Sequence, residues 1–455
     1  MKRNKPTAER GEPPVSTDMT RGNILRQLIQ FSIPLILGNL FQLSYNMVDT
    51  IVIGRFAGST ALAAVGTCDQ VMNLLILGVS GICIGASVLM GNFYGAGDHE
   101  KLLEEMKTMV VIGLLFALIV MAAGIPLTGT IFALMRVRPE MMEEATLYLR
   151  VIFAGMPFTC LYNIYAAALR SIGDSKTPIR FLVVSCLVNM TLDLVFVVGL
   201  HLGVLGAALA TVIAQGCSAV LCIRYVDRKG PLLRIDWRTL RMNRALAGQT
   251  LSYGGMTALQ QCSQPIGNII IQSSVNALGV SAAAAFSAVR KIEDIGLLPG
   301  RSISTGITSF TAQNKGAKNE SRIRQGFSQG MRMEIIVGMA MCAVVLLLRF
   351  PLMTLFTQDE SIIADGVRYF NLIGFCYALP CVTNGLQGYF RGIGKMKITL
   401  LATLTQISVR VIATLLLTPV MGIAGVGLAC VLGWTAMIAW ELPLQWHIQR
   451  KGILK

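Results

Sequence analysis

The chain of 455 residues has few charged side chains and few aromatic ones. Charged residues make up 14% and aromatic residues 7%, whereas soluble domains average about 25% charged residues. Hydrophobic residues make up 54%, and the mean hydropathy is +0.62. This composition excludes an ordinary soluble domain. Instead, successive apolar runs of about 20 residues are typical of an all-α membrane protein with many spans.

The chain also lacks the residue patterns of several kinds of chemistry. Its 11 cysteines fall almost wholly in apolar segments without a C-x-x-C pair, so we interpret them as small core residues. His99, His201 and His447 are too scattered for a metal site or a Ser/His arrangement. No Gly-x-x-x-x-Gly-Lys-Ser/Thr sequence for ATP binding occurs. We therefore expect no enzyme, no catalytic residues, no metal and no organic cofactor.

Apolar runs bounded by charged residues, glycine or proline predict twelve membrane spans. They lie near residues 28–54, 61–90, 108–128, 147–169, 178–200, 203–224, 247–278, 282–311, 332–352, 367–390, 398–418 and 422–446. The charged segment from Arg224 to Arg244 divides the spans six and six. The predicted organisation is an N-terminal tail (1–22), an N-lobe (23–226), an interlobe linker (227–245), a C-lobe (246–446) and a C-terminal tail (447–455).

Lysine and arginine are distributed unequally between the two sides of the predicted membrane. With the N-terminus inside, 29 of the 39 basic residues fall on the inside and six on the outside. Because basic residues are retained on the cytoplasmic side, both termini are predicted to be cytoplasmic. Residues 1–22 have no apolar core, so we expect a short tail there and no signal peptide. The net charge of +15 thus reflects membrane topology, and we expect no nucleic-acid partner.

The two halves of the chain contain related sequences. The segment LRSIGDSK, ending at Lys176, corresponds to FRGIGKMK, ending at Lys397, at an offset of 221 residues. Since each half has six spans and starts inside, the repeats are parallel and related by an axis along the membrane normal. Alternating-access transporters have this architecture, with a site between or within the lobes near mid-membrane.

The first span carries a polar stripe that ends in a carboxylate. Gln42, Tyr45, Asn46 and Asp49 are spaced three and four apart, so they share one helix face. An Asp at the centre of a membrane helix costs about 2.5–3.5 kcal/mol on insertion scales and tends to be functional. Pro34 removes a backbone donor and permits a bend. The pattern indicates a moving part; the alternative is an acid that only ties helices together.

Spans 5 and 6 carry polar faces of their own. Asn189 and Asp193 follow each other on one face of span 5, and Thr211 begins a polar face on span 6. Two carboxylates that face each other in a low-dielectric pocket share a proton or a cation. Carboxylate, amide and hydroxyl oxygens suit Na⁺ or H⁺ and do not suit zinc or copper. The alternative is an interhelix hydrogen-bond cluster without a transport role.

The second half keeps the polar stripe but has lost both acids. The counterparts of Gln42, Tyr45 and Asp49 are Gln261, Gln264 and Asn268. The counterparts of Asn189 and Asp193 are Arg410 and Thr414. We therefore expect the coupling chemistry to lie in the N-lobe.

A separate polar cluster is possible in the C-lobe. It would comprise Arg290, Glu293 and Asp294 in span 8 and Arg410 in span 11. Arg290 and Asp294, four residues apart, could neutralise each other, and Arg410 could pair with Glu293 or Asp294. The cluster has two interpretations: a structural one, and a role in substrate binding or in a second cation site.

Taken together, these features resemble the MATE (multidrug and toxic compound extrusion) family over about residues 24 to 446. The resemblance rests on N-M-V-D in span 1, R-x-x-G-x-x-K after spans 4 and 10, and the glycine-rich start of span 6. N-x-x-x-D in span 5 is similar to the prokaryotic DinF-like branch. The resemblance implies twelve helices in two parallel six-helix lobes. It also implies a coupling-cation site at Asp49, Asn189, Asp193 and Thr211, and bending of the first helix at Pro34.

The resemblance further implies a secondary multidrug efflux antiporter in a bacterial plasma membrane, expected to be a monomer. It would export cationic or amphipathic organic compounds in exchange for H⁺ or Na⁺ by alternating access. The substrate would contact cavity residues on spans 1 and 7, namely Gln42, Tyr45, Asn46, Gln261, Gln264 and Asn268. The alternative on the same fold is a flippase or exporter of a lipid-linked or anionic precursor. Four basic residues favour that alternative: Arg290, Lys291, Arg301 and Arg410.

Overall fold

The computed structural model describes residues 18–452 and contains fourteen α-helices. In chain order they are α1 Ile24–Val52, α2 Ser59–Ala96, α3 His99–Leu134, α4 Pro139–Ser171, α5 Lys176–Asp193, α6 Gly203–Lys229, α7 Arg244–Asn276, α8 Val280–Gly296, α9 Leu298–Gly316, α10 Glu320–Thr354, α11 Glu360–Ile373, α12 Ala378–Gly392, α13 Met396–Met421 and α14 Ile423–Lys451. No β-strand occurs within residues 18–452. The predicted tails fall partly outside the described residues, at 1–17 and 453–455.

Two of the predicted spans are broken. Span 8 consists of α8 and α9, which meet at Leu297, and span 10 consists of α11 and α12. The axes of α11 and α12 differ by 50° across the short turn Gly374–Cys376. Within residues 18–452, nine helices are long and apolar enough to cross a membrane, or ten with this bent pair. The chain is therefore a multi-pass membrane protein, and the predicted all-helical fold class is confirmed.

The helices of the two halves of the sequence form two groups, α1–α6 and α7–α14, which also pack on each other through α2 against α7 and α9 and through α1 against α9. In the first group, α2, α3 and α6 pack around α4, and α1 lies against α5. In the second group, α13 packs against α7 and α14, and α12 packs against α9 and α10. Each group has hydrophobic clusters of its own, with Leu169 buried in one and Phe370 in the other. The segment between α6 and α7 packs on the first group, where Leu233 and Ile235 are buried.

The repeated R-x-x-G-x-x-K sequence forms the same turn in both halves. Gly173 after α4 has φ +89° and Gly394 after α12 has φ +78°, a left-handed conformation that favours glycine. The backbone N–H of each glycine donates to the carbonyl three residues earlier, that of Arg170 at 3.1 Å and that of Arg391 at 2.8 Å. Such turns satisfy free carbonyl groups at the end of a helix. The sequence repeat is therefore also a structural repeat.

Both described ends of the chain lie at one end of the helical bundle, which we call the terminal face. Arg322, in the first turn of α10, donates hydrogen bonds to the backbone carbonyls of Met19 and Gly22 at 3.0 and 2.9 Å. Arg324, on the same helix, donates to the carbonyl of Gln449 at 2.6 Å. The start of α10 thus binds the segment before α1 and the end of α14 together.

The two groups contact each other tightly toward the terminal face. There α2 packs against α7 with almost no space between the backbones. A Cβ atom at Gly81 would lie 2.3 Å from the Ala258 Cα, and one at Gly85 would lie 2.4 Å from the Gly254 nitrogen. Real Cβ atoms do not approach other atoms so closely, so glycine at these two positions permits the contact.

The same helix faces separate toward the opposite end of the bundle, which we call the open face. The Cys262 thiol on α7 still lies 3.8 Å from the Leu74 carbonyl on α2. Farther from the terminal face, the residues that continue these faces at helical spacing are exposed: Ala63, Gly66 and Gln70 on α2, and Ile266, Ile269 and Ser273 on α7. The space between the groups is therefore a cleft that is closed at the terminal face and open at the other end.

Candidate functional site

Asp49 in α1 and Asp193 at the end of α5 lie beside each other in the N-lobe. Their carboxyl groups are close enough to interact directly. Asp193 is buried and Asp49 is half-buried. Tyr45, one turn before Asp49, lies next to the Thr211 hydroxyl on α6. Packing of α1 on α5 and of α5 on α6 thus brings polar residues from the three spans together.

Apart from the contact between the two carboxyl groups, several polar atoms of this site have no hydrogen-bond partner among the described residues. They are both carboxylate oxygens of Asp193, both polar atoms of the Asn189 amide and one oxygen of Asp49, and all five are buried. The Thr211 hydroxyl donates to the Ala207 carbonyl at 3.0 Å, so its lone pairs stay available as acceptors. Buried polar groups normally have partners, and two unpaired carboxylates in an apolar interior are costly. Such a site favours a proton or a cation shared between the two acids.

The two acid-bearing helices change their geometry next to the acids. α1 continues as a π-helix over Ile53–Ala57, four residues after Asp49. α5 continues as a π-helix over Leu194–Gly199, directly after Asp193, and the two π-helices contact each other. The corresponding C-lobe helices α7 and α13 are regular at the matching positions. Because π-helical turns occur often at functional sites, this asymmetry also distinguishes the N-lobe.

A third carboxyl group, Asp69 on α2, belongs to the same region and was not among the predicted residues. It is exposed and lies close enough to Asp49 for electrostatic interaction. The buried side chain of Tyr148 on α4 lies near both acids. The sequence could have indicated this residue, because Asp69 is the single acid of α2, a helix that is otherwise apolar over most of its length. Over residues 18–452, no group of three or more His, Cys, Asp or Glu side chains is arranged to hold a metal.

The predicted substrate-cavity residues have different environments. On α1, Gln42 and Asn46 are exposed and Tyr45 is half-buried. On α7, Gln264 is exposed and Gln261 and Asn268 are half-buried. The Asn268 side-chain oxygen accepts a hydrogen bond from the Arg410 guanidinium at 3.4 Å. α1 passes through Pro34 without interruption, so bending at that residue stays a prediction.

In the C-lobe, Glu293 and Arg410 come close to each other. One oxygen of Glu293 accepts hydrogen bonds from the hydroxyls of Tyr377 at 2.9 Å and Tyr369 at 3.3 Å. Arg410 lies near enough to Glu293 for electrostatic interaction. The half-buried Glu293 is thus surrounded by two hydroxyl donors and a cation.

The other two members of the predicted C-lobe cluster have different partners. Asp294 forms an ion pair with Arg301 of α9 at 3.1 Å, and both side chains are more than half exposed. Arg290 lies over the ring of Phe286, 6.0 Å from its centroid. The suggested neutralisation of Asp294 by Arg290 is therefore not found.

Replacing Tyr377 by phenylalanine should destabilise the C-lobe. A hydrogen bond to a charged group contributes about 1.5–3 kcal/mol to the free energy of unfolding. Without the Tyr377 hydroxyl, the Glu293 oxygen loses one of its two hydrogen-bond donors. The measurement is the thermal unfolding temperature of the purified protein in detergent. Tyr369→Phe is the matched control, because its hydroxyl is farther from Glu293. A larger effect of Tyr369→Phe than of Tyr377→Phe would contradict this account of the cluster.

Comparison with known families decides what kind of protein this is. The MatE family model matches residues 34–195 and again residues 257–416. The chain belongs to the MatE family. One match covers most of α1 to α5, and the other covers most of α7 to α13. This MatE protein is accordingly a transporter and not an enzyme.

Individual relatives are similar over most of their length. A probable multidrug resistance protein, YoeA of Bacillus subtilis (strain 168), is 28% identical over 375 residues, which cover 81% of each chain. The FAD transporter of Shewanella oneidensis is 23% identical over 399 residues, covering 82% of this chain and 84% of that protein.

A solved structure supports the fold. It is described as an outward-facing conformation of a multidrug resistance MATE family transporter of the MOP superfamily. It superimposes on this MatE protein with a TM-score of 0.90 at 23% identity, covering 98% of this chain and 100% of the other. This likeness shows that the MatE protein has the MATE fold.

Proposed function

We propose that this MatE protein is a secondary multidrug exporter that exchanges a cationic or amphipathic organic compound for H⁺ or Na⁺. The observation that carries the proposal is the pair Asp49 and Asp193, whose buried oxygens lack partners beside a cleft open at one end. Hard oxygen donors of this kind suit either ion. The description of YoeA as a probable multidrug resistance protein supports the substrate class.

The proposed mechanism is alternating access between the two lobes. A cation that enters from the open face binds at Asp49, Asn189, Asp193 and Thr211. Its binding removes negative charge beside α1, which favours a bend at Pro34 and changes the wall of the cleft. The substrate, held by polar residues of α1 and α7, leaves toward the open face, and the lobes then reopen at the terminal face to load again.

We further propose that the terminal face is cytoplasmic. The unequal distribution of lysine and arginine supports this orientation, because 29 of 39 basic residues fall on that side. In that orientation, the described conformation has its cleft open to the outside, where export would end. The transporter would then lie in a bacterial plasma membrane with both termini inside the cell.

A second candidate function is export of an anionic or lipid-linked precursor. The basic residues Arg290, Lys291, Arg301 and Arg410 favour it, and one relative is described as an FAD transporter. Two of these cations already have partners, since Arg301 pairs with Asp294 and Arg410 bonds Asn268. The exposed acidic residue Asp69, close to Asp49, also disfavours an anion. We therefore prefer the cationic substrate class.

Transport by the wild-type protein in proteoliposomes tests the proposal. The probes are ethidium as a cationic dye and FAD as an anion, each measured with an imposed H⁺ gradient, an imposed Na⁺ gradient, or neither. We expect ethidium to move against its own gradient when one of the two ion gradients is present. Gradient-driven movement of FAD alone would favour the second function. Movement of neither compound under either gradient would contradict both functions.

A further inference from the structure

Glu334 is an acidic residue buried in the C-lobe without a partner. It lies on α10, its side chain has 0% exposure, and neither of its oxygens has a hydrogen-bond partner among the described residues. Two other acids are equally buried but do have donors. Glu105 accepts from the Thr250 hydroxyl at 2.6 Å, and Glu441 accepts from the Gln387 amide at 2.7 Å. Glu334 therefore differs from the acids that serve as ordinary structural acceptors.

The carboxyl group of Glu334 lies where both broken spans of the C-lobe meet. A Cβ atom on Gly300, three residues after the break at Leu297, would lie 2.9 Å from one Glu334 oxygen. The same point lies 3.3 Å from the Asn384 amide nitrogen and 3.4 Å from the Cys381 sulfur, both on α12. The side chain of Glu334 thus lies between the first turn of α9 and the first two turns of α12.

α10 packs along the place where the two broken spans meet over more than one of its turns. Gly338, four residues after Glu334, packs so closely that a Cβ there would lie 2.6 Å from the Ala378 Cα, directly at the second break. A change in the angle at either break would therefore alter the surroundings of Glu334. This position makes its environment depend on the conformation of the lobe.

No counter-charge faces Glu334 among the described residues. On α9, Arg301 follows Gly300, but it pairs with Asp294 and is more than half exposed. α12 contributes the neutral amide of Asn384 and the thiol of Cys381. The thiol is the titratable group of α12 that lies near Glu334. An unpaired carboxylate within a membrane protein is costly, and that cost is avoided when the group binds a proton. A proton on Glu334 would remove this cost in the described conformation.

We propose that Glu334 is a second proton-binding site of this transporter, located in the C-lobe and separate from Asp49 and Asp193. The proposal rests on the proposed function as an ion-driven exporter. When α9 and α12 reorient, water and the free N–H groups at the start of α9 reach the carboxyl group. The O–H bond then breaks, the proton passes to water, and the carboxylate is stabilised by these new donors. A proton gradient would thereby favour one arrangement of the broken spans over the other.

Infrared difference spectroscopy of the reconstituted protein tests proton occupancy without any transport. It detects the C=O stretching band of protonated carboxyl groups. We expect part of this band to be lost in Glu334→Gln. The part of the band that is lost in Glu334→Gln should remain in the control Asp193→Asn, which alters the N-lobe site. If Glu334→Gln leaves the band at its wild-type intensity, Glu334 holds no proton and the proposal is overturned.

Ethidium export under an imposed H⁺ gradient tests the role of that proton. Glu334→Gln keeps the shape of the side chain but cannot release a proton, so we expect a loss of gradient-driven export by about 5- to 150-fold. Glu334→Asp should retain part of the activity and serves as the second variant if the glutamine variant does not fold. Export by both variants at the wild-type rate would overturn the proposal. If the wild type itself shows no gradient-driven export, the proposed function fails, and the infrared band still decides whether Glu334 binds a proton.

Discussion

Replacing Asp193 by asparagine should strongly reduce gradient-driven export by this MatE transporter. Asparagine has nearly the same size, but it carries no negative charge and cannot take up a proton. The Asp193 carboxyl group is buried and interacts directly with that of Asp49, so the substitution removes one half of the acid pair. We expect a reduction of about 5- to 150-fold, which corresponds to a coupling free energy of about 1–3 kcal/mol. Asp49→Asn should have an effect of similar size.

The measurement is ethidium export with and without the ion gradient, together with ethidium binding. Binding by Asp193→Asn should stay near that of the wild type, because the variant alters coupling and not the wall of the cleft. The matched control is Thr414→Val at the corresponding position of the C-lobe. Thr414 is equally buried, and its hydroxyl donates only to the Arg410 carbonyl of its own helix, so this variant should keep gradient-driven export. Unchanged export by both aspartate variants would make the acid pair a structural element.

Replacing Gly85 by valine should prevent closure of the terminal face. A Cβ atom at Gly85 would meet the Gly254 nitrogen at 2.4 Å, and backbone atoms cannot move aside as a side chain can. Overpacking costs about 1–3 kcal/mol, which is enough to change the population of the closed state by about 5- to 150-fold. Because alternating access requires closure of each face in turn, we expect export to fall by a similar factor.

Gly78 on the same helix provides the control for this variant. A Cβ atom at Gly78 would meet nothing within 4 Å, so Gly78→Val should be tolerated. The second readout is labelling of Cys262, which lies at the boundary between the closed and open parts of the cleft. A membrane-impermeant thiol reagent added at the terminal face should reach Cys262 faster in Gly85→Val than in Gly78→Val. Equal export and equal labelling in the two variants would contradict the assignment of the closed gate.

The sequence by itself determined the class of the protein, a helical membrane protein with many spans. Every helix that crosses a bilayer must satisfy its own backbone, so composition and length reveal the spans before any packing is known. The repeated turn could also be read directly, since Gly173 and Gly394 end equivalent helices in the left-handed conformation. Polar spacing along α1 and α5 predicted Asp49 and Asp193 as site residues, because the residues that share one helix face follow from helix geometry alone.

Only the tertiary structure decided which side chains meet across helices. Asp69 joins the region of Asp49 through packing of α2 in the N-lobe, and no local spacing connects the two residues. Asp294 pairs with Arg301 across the break at Leu297, although Arg290 is nearer in helical spacing. Helical periodicity assumes an unbroken helix and concerns neighbours in sequence. The breaks, the closed terminal face and the isolation of Glu334 arise from contacts between distant segments, so they depend on how the whole bundle packs.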